Sequence, residues 1–198
     1  MTKFNAGEVD GVGGKLTSYH GRELDFDLLV TVPLHGGQAF VERSPGLGDA
    51  LGFVPTDKAT LQATARPNVF ALGDATDLPT SKAGSVTHFE GEVLEENVVR
   101  FFAGRELEPR YDGHANCFIE TGFHKALLID FNYETQPLPG HFPAALGLPL
   151  LRESRLNHLG KLAFQWIYWH ALLPGRELPG IGPAMPTRGK RQLQEAMR

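Results

Sequence analysis

Residues 64–84, TARPNVFALGDATDLPTSKAG, constrain this chain more than any other stretch. The apolar run Val69-Phe70-Ala71-Leu72 follows a turn at Pro67-Asn68, has the length of a buried strand, and stops at Gly73-Asp74. A strand there would deliver a glycine and a carboxylate to a sheet edge. A ligand hydroxyl can approach Gly73, which lacks a Cβ, while Asp74 accepts its hydrogen bond, as binding a sugar or polyol chain requires. Downstream, Lys82-Ala83-Gly84 opens a segment whose apolar positions Val86, Phe89, Val93, Leu94, Val98 and Phe102 recur at helical spacing. The unpaired N–H groups at that helix start, together with Lys82, favour a partly anionic ring or a phosphate. The competing reading is a plain surface turn after a core strand with a solvated Lys82, because Gly and Asp are common turn residues.

The spacing Thr-x-x-x-x-Val-Phe-Ala-x-Gly-Asp-Ala over Thr64–Ala75 resembles the second flavin-binding signature of flavoproteins with two dinucleotide folds. In those proteins the aspartate binds the ribityl part of FAD. The longer run GDATDLPTSKAGSVTHFEGEV is similar to the same region of sulfide:quinone oxidoreductases and their relatives, flavocytochrome c sulfide dehydrogenase and type II NADH dehydrogenase. GRELDFDLLVTVPLHGG, Gly21 to Gly37, resembles the end of their second nucleotide-binding domain, which implies that Pro33, Leu34 and His35 return toward the flavin ring. The resemblance implies an α/β fold: the C-terminal part of a two-dinucleotide-binding-domain (Rossmann-like) flavoprotein, with a C-terminal β-hairpin and an amphipathic helix. It makes Gly73, Asp74, Lys82, Ala83, Gly84 and Pro33 the expected FAD-binding residues.

Composition narrows the function classes. At 198 residues, 41% hydrophobic and 21% charged, the chain can bury a core, and a net charge of −4 gives no electrostatic case for nucleic acid. One cysteine permits no internal disulfide and no cysteine-cluster metal site, and the eight histidines show no ligand spacing, so no metal is expected. The N-terminus lacks the apolar core of an export signal and no run reaches the length of a spanning helix, which points to a cytoplasmic protein.

In chain order, residues 1–40 read as β structure, with a turn at His20-Gly21 and a buried strand over Phe26–Val32. The glycines of GVGGK precede a strand rather than a helix, so they predict a hairpin turn and not a phosphate loop. Residues 41–63 read as an irregular connector. The helix opened at Gly84 is expected to end near Gly104, and Pro109, Asp112 and Gly113 mark a boundary. A hairpin follows, with Cys117-Phe118-Ile119 in one strand, a turn at Thr121-Gly122, and Ala126–Phe131 in the other. Residues 133–150 are rich in proline and read as an extended connector. The expected organisation is the end of the second nucleotide-binding domain at 1–40, a return segment of the FAD domain at 41–112, and a quinone- and membrane-facing region at 113–198.

Residues 152–173, RESRLNHLGKLAFQWIYWHALL, form an amphipathic helix with a tryptophan-bearing apolar side, stopped by Pro174-Gly175 and followed by a basic tail. The periodicity fits a core helix; it also fits a helix lying in a membrane interface, where Trp and Tyr place an apolar body and a polar tip. The resemblance favours peripheral membrane attachment. Cys117, alone in an apolar strand, reads either as a small buried hydrophobe or as a redox nucleophile beside a flavin. In the sulfide:quinone oxidoreductases a catalytic cysteine lies in the segment that ANCFIETG resembles, with the following aromatic, here Phe118, near the quinone; Trp166 is the second expected quinone contact. The family pairs this cysteine with another in its N-terminal half, where the first FAD motif, a strand followed by G-x-G-x-x-G, also lies. Neither is in these residues, so the chain resembles the C-terminal half of such an enzyme and is expected to be inactive without an N-terminal half or partner chain. The implied activity passes electrons from sulfide, or a related small donor, through FAD to a membrane quinone. The alternatives are a type II NADH:quinone dehydrogenase-like protein, weakened by Phe89-Glu90 where that family has a glutamine pair, and a non-catalytic fragment without flavin.

Overall fold

The computed structural model describes residues 4–32, 35–176, 178 and 180–191. The chain divides into two units, Met1–His35 and Gly36–Arg198. In the first, β1 (Ala6–Asp10), β2 (Lys15–Ser18) and β3 (Glu23–Asp25) form an antiparallel sheet in the order β1-β2-β3. The GVGGK segment is the hairpin turn between β1 and β2: Asp10 Oδ1 accepts from the N–H groups of Val12 at 3.0 Å and Gly13 at 2.8 Å. The expected buried strand at Phe26–Val32 does not form. That segment is irregular, with Leu28, Val30 and Val32 exposed by 81%, 87% and 81%. An apolar run becomes a strand only where a neighbour completes its hydrogen-bond ladder, and beyond the one bond from Phe26 N–H to Gly14 O at 2.8 Å no described strand pairs with it.

The second unit begins with a four-residue helix, α1 (Ala39–Glu42), whose Val41 packs in a small cluster with Val54, Ala63 and Ala71. The expected strand Val69–Leu72 is also a correction. Only Phe70 makes a bridge, to Gln62, while the neighbouring Thr76 bridges to Val54. These isolated contacts hold the run in place without extending it into a sheet, and it ends in one 3-10 turn, Gly73–Ala75.

The longest element, α2 (Gly84–Phe102), starts where the sequence places it. Val86, Phe89, Glu90, Val93 and Asn97 are its buried positions, spaced as one helical face. Val86, Phe89 and Val93 meet Leu61, Leu78, Tyr111 and Ala115 in the main core, which joins segments 41–112 and 113–198. Asn97 is a satisfied buried amide: its Nδ2 donates to Thr60 O and Glu108 O, both at 3.0 Å, and its Oδ1 accepts from Glu108 N at 2.8 Å. Gly104 takes φ +64° just past the helix; its N–H reaches Phe101 O, and Arg105 N–H reaches Arg100 O, which satisfies the last carbonyls. Phe102, expected on the apolar stripe, is 83% exposed.

β4 (Ala115–Gly122) and β5 (Lys125–Phe131) pair antiparallel with Cys117 opposite Ile129. The turn is not Thr121-Gly122 but Phe123-His124, whose φ values of 51° and 59° match the twist that two-residue hairpins require. Within the region expected to be a connector, β6 (Gly140–Phe142) and β7 (Leu148–Leu150) form a second hairpin, burying Phe142 and Leu150 against Leu128. α3 (Arg155–Ile167) is capped by Ser154, whose hydroxyl accepts from Asn157 N at 3.0 Å, and runs on as a π-helical turn over Tyr168–Leu172. Beneath the hairpins, His114 and Asp130 are fully buried and bonded at 2.8 Å, and Lys190 pairs with the second oxygen of Asp130.

Candidate functional site

Gly73-Asp74 lies against α2. The N–H of Gly73 donates to Glu90 Oε2 at 2.6 Å, and a Cβ on Gly73 would come within 3.0 Å of Thr87 Oγ1. Gly73 is buried with φ +62°, so the glycine is required by its left-handed backbone and by Thr87 rather than by the approach of a ligand hydroxyl. Asp74, the next residue, is exposed and has no hydrogen-bond or ion-pair partner among the described residues, which leaves its carboxylate available to an incoming hydroxyl. Lys82 turns back on the same turn, donating from Nζ to Thr76 O at 2.6 Å and standing 5.0 Å over the Phe53 ring. Ala83 is the N-cap of α2 and supplies no side-chain cap, so the first N–H groups from Gly84 onward lack a side-chain acceptor. Lys82, Ala83 and Gly84 stand at the helix start, while Asp74 follows the glycine that packs on Thr87 and Glu90, further along α2. Pro33 lies outside the described residues.

β4 then separates two environments, because successive residues of a strand face opposite ways. Cys117 Sγ stands 4.0 Å from the hydroxyl of Ser81, the neighbour of Lys82. Burial pushes the Cys117 thiol above its ordinary range, against a smaller lowering by Ser81. Phe118 lines an apolar cavity of about 420 Å³ enclosed by α2, the two hairpins and α3, together with Phe142, Leu148, Phe164 and Ile181. Trp166 is not in that cavity. It is 65% exposed, on an outer surface with Trp169 and His170. The outward side of α3 and its extension carries Leu159, Leu162, Trp166, Trp169 and Leu173, each more than half exposed. The two sides of this helix differ: Phe164 and Ile167 face inward to the cavity while this stripe is exposed. No described helix is long and apolar enough to cross a membrane.

No protein-family model matches the chain. Among curated proteins, the mitochondrial sulfide:quinone oxidoreductase of Schizosaccharomyces pombe is 37% identical over 150 residues, 75% of this chain and 32% of that protein. That of Dictyostelium discoideum is 33% identical over 156 residues, 78% of this chain and 33% of that protein. The chain is sulfide:quinone oxidoreductase-like. It spans about a third of the length of the curated relatives it matches. An FAD-dependent oxidoreductase of Flammulina velutipes is 27% identical over 118 residues, 58% of this chain and 36% of that protein. In the cryo-EM structure of the Tetrahymena thermophila mitochondrial ATP synthase, one chain is 27% identical with a TM-score of 0.57, covering 81% of this chain and 37% of that one.

In this sulfide:quinone oxidoreductase-like chain the sequence reading missed Glu90 as a member of the site. Its position carried a signal, since a carboxylate four residues after Val86 and three before Val93 falls inside the apolar stripe. Glu90 is 1% exposed. Burial raises its carboxyl above the ordinary glutamate range, with a further push from Asp74, against lowering by the Gly73 N–H and Lys82. The folded state therefore holds this proton more tightly than the unfolded chain does. Its contribution to stability is complete below the ordinary glutamate pKa of about 4.3 and is lost as pH rises through the raised value. Glu90→Gln keeps an acceptor for Gly73 and is expected to flatten that decline, measured by urea unfolding at a series of pH values. An unchanged pH dependence would remove Glu90 as its source.

Proposed function

We propose that the chain is the C-terminal portion of an FAD-dependent oxidoreductase that passes electrons from sulfide to a membrane quinone. The observation that carries this reading is the division made by β4: the Cys117 thiol faces Ser81 at the α2 start, and Phe118 faces the apolar cavity. A sulfur site and a lipophilic site then lie on either side of one strand.

The residues present fit FAD. Asp74 offers an exposed, unpartnered carboxylate for the ribityl hydroxyls, and the uncapped start of α2 at Ala83 and Gly84 offers N–H donors for an anionic ring edge. Lys82, fixed by Thr76 O, adds positive charge beside them. When bound, FAD supplies two-electron redox chemistry between the donor and the quinone. Cys117 would start the cycle in a disulfide with a second cysteine, which must come from outside these 198 residues because Cys117 is their one cysteine; attack of hydrosulfide would break that S–S bond, leaving a persulfide on Cys117 and a thiolate on the partner, with bound FAD as the two-electron acceptor. Phe118 borders the quinone ring, while the outward stripe of α3, Trp166 included, seats the protein on a membrane surface where a lipid-soluble substrate enters. A mitochondrial membrane is the setting that the names of the curated relatives support.

In a protein that carries this chain together with a Gly-rich nucleotide fold, Asp74→Ala is expected to weaken FAD binding about 10-fold to 100-fold, the worth of one hydrogen bond to a charged acceptor. Flavin fluorescence during titration of the apoprotein checks this. Unaltered affinity would take Asp74 out of the cofactor site.

A further inference from the structure

We infer that His88, held by Glu92, is the hydrogen-bonding group that reads the polar head of the ligand in the apolar cavity, and that it serves both the carbonyl and the hydroxyl form of that head. This rests on the quinone reading above and adds a residue to it. The cavity lining is apolar except at one end, where Ser85, His88 and Glu92 of α2 and Asn116 of β4 meet. Positions 85, 88 and 92 lie on one face of the helix, so a lipophilic molecule entering the cavity has a single wall at which to satisfy a polar group.

Of these groups, Ser85 is already engaged, donating from its hydroxyl to Asn116 O at 2.8 Å. His88 is different. Its Nε2 lies 3.3 Å from Glu92 Oε1, one helical turn on, and Nδ1 has no partner among the described residues. With Nε2 beside the carboxylate, Nδ1 is the ring nitrogen left to a ligand: it accepts a hydrogen bond when it carries no proton and donates one when it does. A hydroxyl matches the first state and a carbonyl the second. A ligand that alternates between these two forms keeps one polar contact throughout, the ring supplying the one proton that this oxygen gains, while the electrons and the second proton come from elsewhere in the whole enzyme. The adjoining cleft, which His88 also borders, carries Glu95 and Glu96 against Arg105, Arg110 and Arg176, so both signs of charge face the imidazole from outside the cavity.

The test uses the full chain and three probes: a decyl-substituted benzoquinone, its quinol, and decylbenzene. Affinities are measured by calorimetry in two buffers of different ionisation enthalpy, so that proton uptake is read directly. For the wild type, benzoquinone binding is expected to take up a proton, and quinol binding to take up none. His88→Leu is expected to weaken both by about tenfold or more, to abolish the uptake, and to leave decylbenzene unchanged. His88→Gln, which keeps a donor and an acceptor but cannot titrate, is expected to restore part of the affinity without the proton. Equal benzoquinone affinity and uptake in wild type and His88→Leu would overturn the role of His88. Ala163→Trp, which fills the cavity from α3, separates this from the parent reading: if it leaves all three probes bound as before, or if none binds the wild type, the cavity is not the lipophilic site and both readings fall.

Discussion

Asp130→Ala is expected to lower the unfolding free energy by about 3–5 kcal/mol, the cost of breaking a buried ion pair from one side. Asp130 lies under both hairpins with no exposed side-chain surface; it accepts from His114 at 2.8 Å and pairs with Lys190, itself 2% exposed. His114 has no exposed side-chain surface, places Nδ1 2.6 Å from Gly182 O, and stacks on Phe89 of α2 at 4.5 Å. Removing the carboxylate leaves an ammonium and an imidazole buried without their shared acceptor, and loosens the segment around Gly182 and Lys190 from the hairpins. The exposed pair Lys125–Glu153, at 3.3 Å with side chains 43% and 45% exposed, sets the contrast, since such pairs contribute at most about 1 kcal/mol. Urea unfolding of Asp130→Ala beside Lys125→Ala decides it. A loss under about 1 kcal/mol in both would mean that the cluster relaxes into water and does not hold the fold.

Cys117→Ser is expected to abolish sulfide-dependent bleaching of bound flavin in a flavin-loaded protein containing this chain, with FAD content unaltered. The hydroxyl replaces the thiol within the same strand position, so packing beside Ser81 is kept and the nucleophile is removed. The raised thiol adds a second readout. Only the thiolate reacts, so alkylation of Cys117 by iodoacetamide is expected to be slow at neutral pH and to accelerate above the ordinary thiol range. Bleaching that survives in Cys117→Ser would assign the sulfur chemistry elsewhere and leave Cys117 as a packing residue.

The parts of this structure legible in the sequence are those whose cause is local. The start of α2 at Gly84 and its stop before Gly104 follow from helical spacing and a residue suited to the left-handed cap. The β1–β2 turn follows from glycine placement ahead of a strand. What failed depends on partners distant along the chain. Phe26–Val32 and Val69–Leu72 have strand composition, but strand formation is decided by a neighbouring ladder, which composition does not report. The resemblance puts both Trp166 and Phe118 at the quinone; helix phase puts the first outside and strand alternation puts the second on the cavity. The cluster of His114, Asp130 and Lys190 brings together positions from three separate segments, and no spacing rule predicts that encounter.

α2 also limits how a chain like this can change. Its consecutive residues His88, Phe89 and Glu90 serve the cavity, the core and the Gly73 turn. Each step along a helix rotates the side chain by about 100°. Inserting one residue between Gly84 and His88 would therefore hand every downstream position its neighbour's surroundings, sending an imidazole toward the core and a phenyl ring toward a backbone amide. Length variation among natural variants should accordingly be found in the connectors and be missing from the first two turns of this helix.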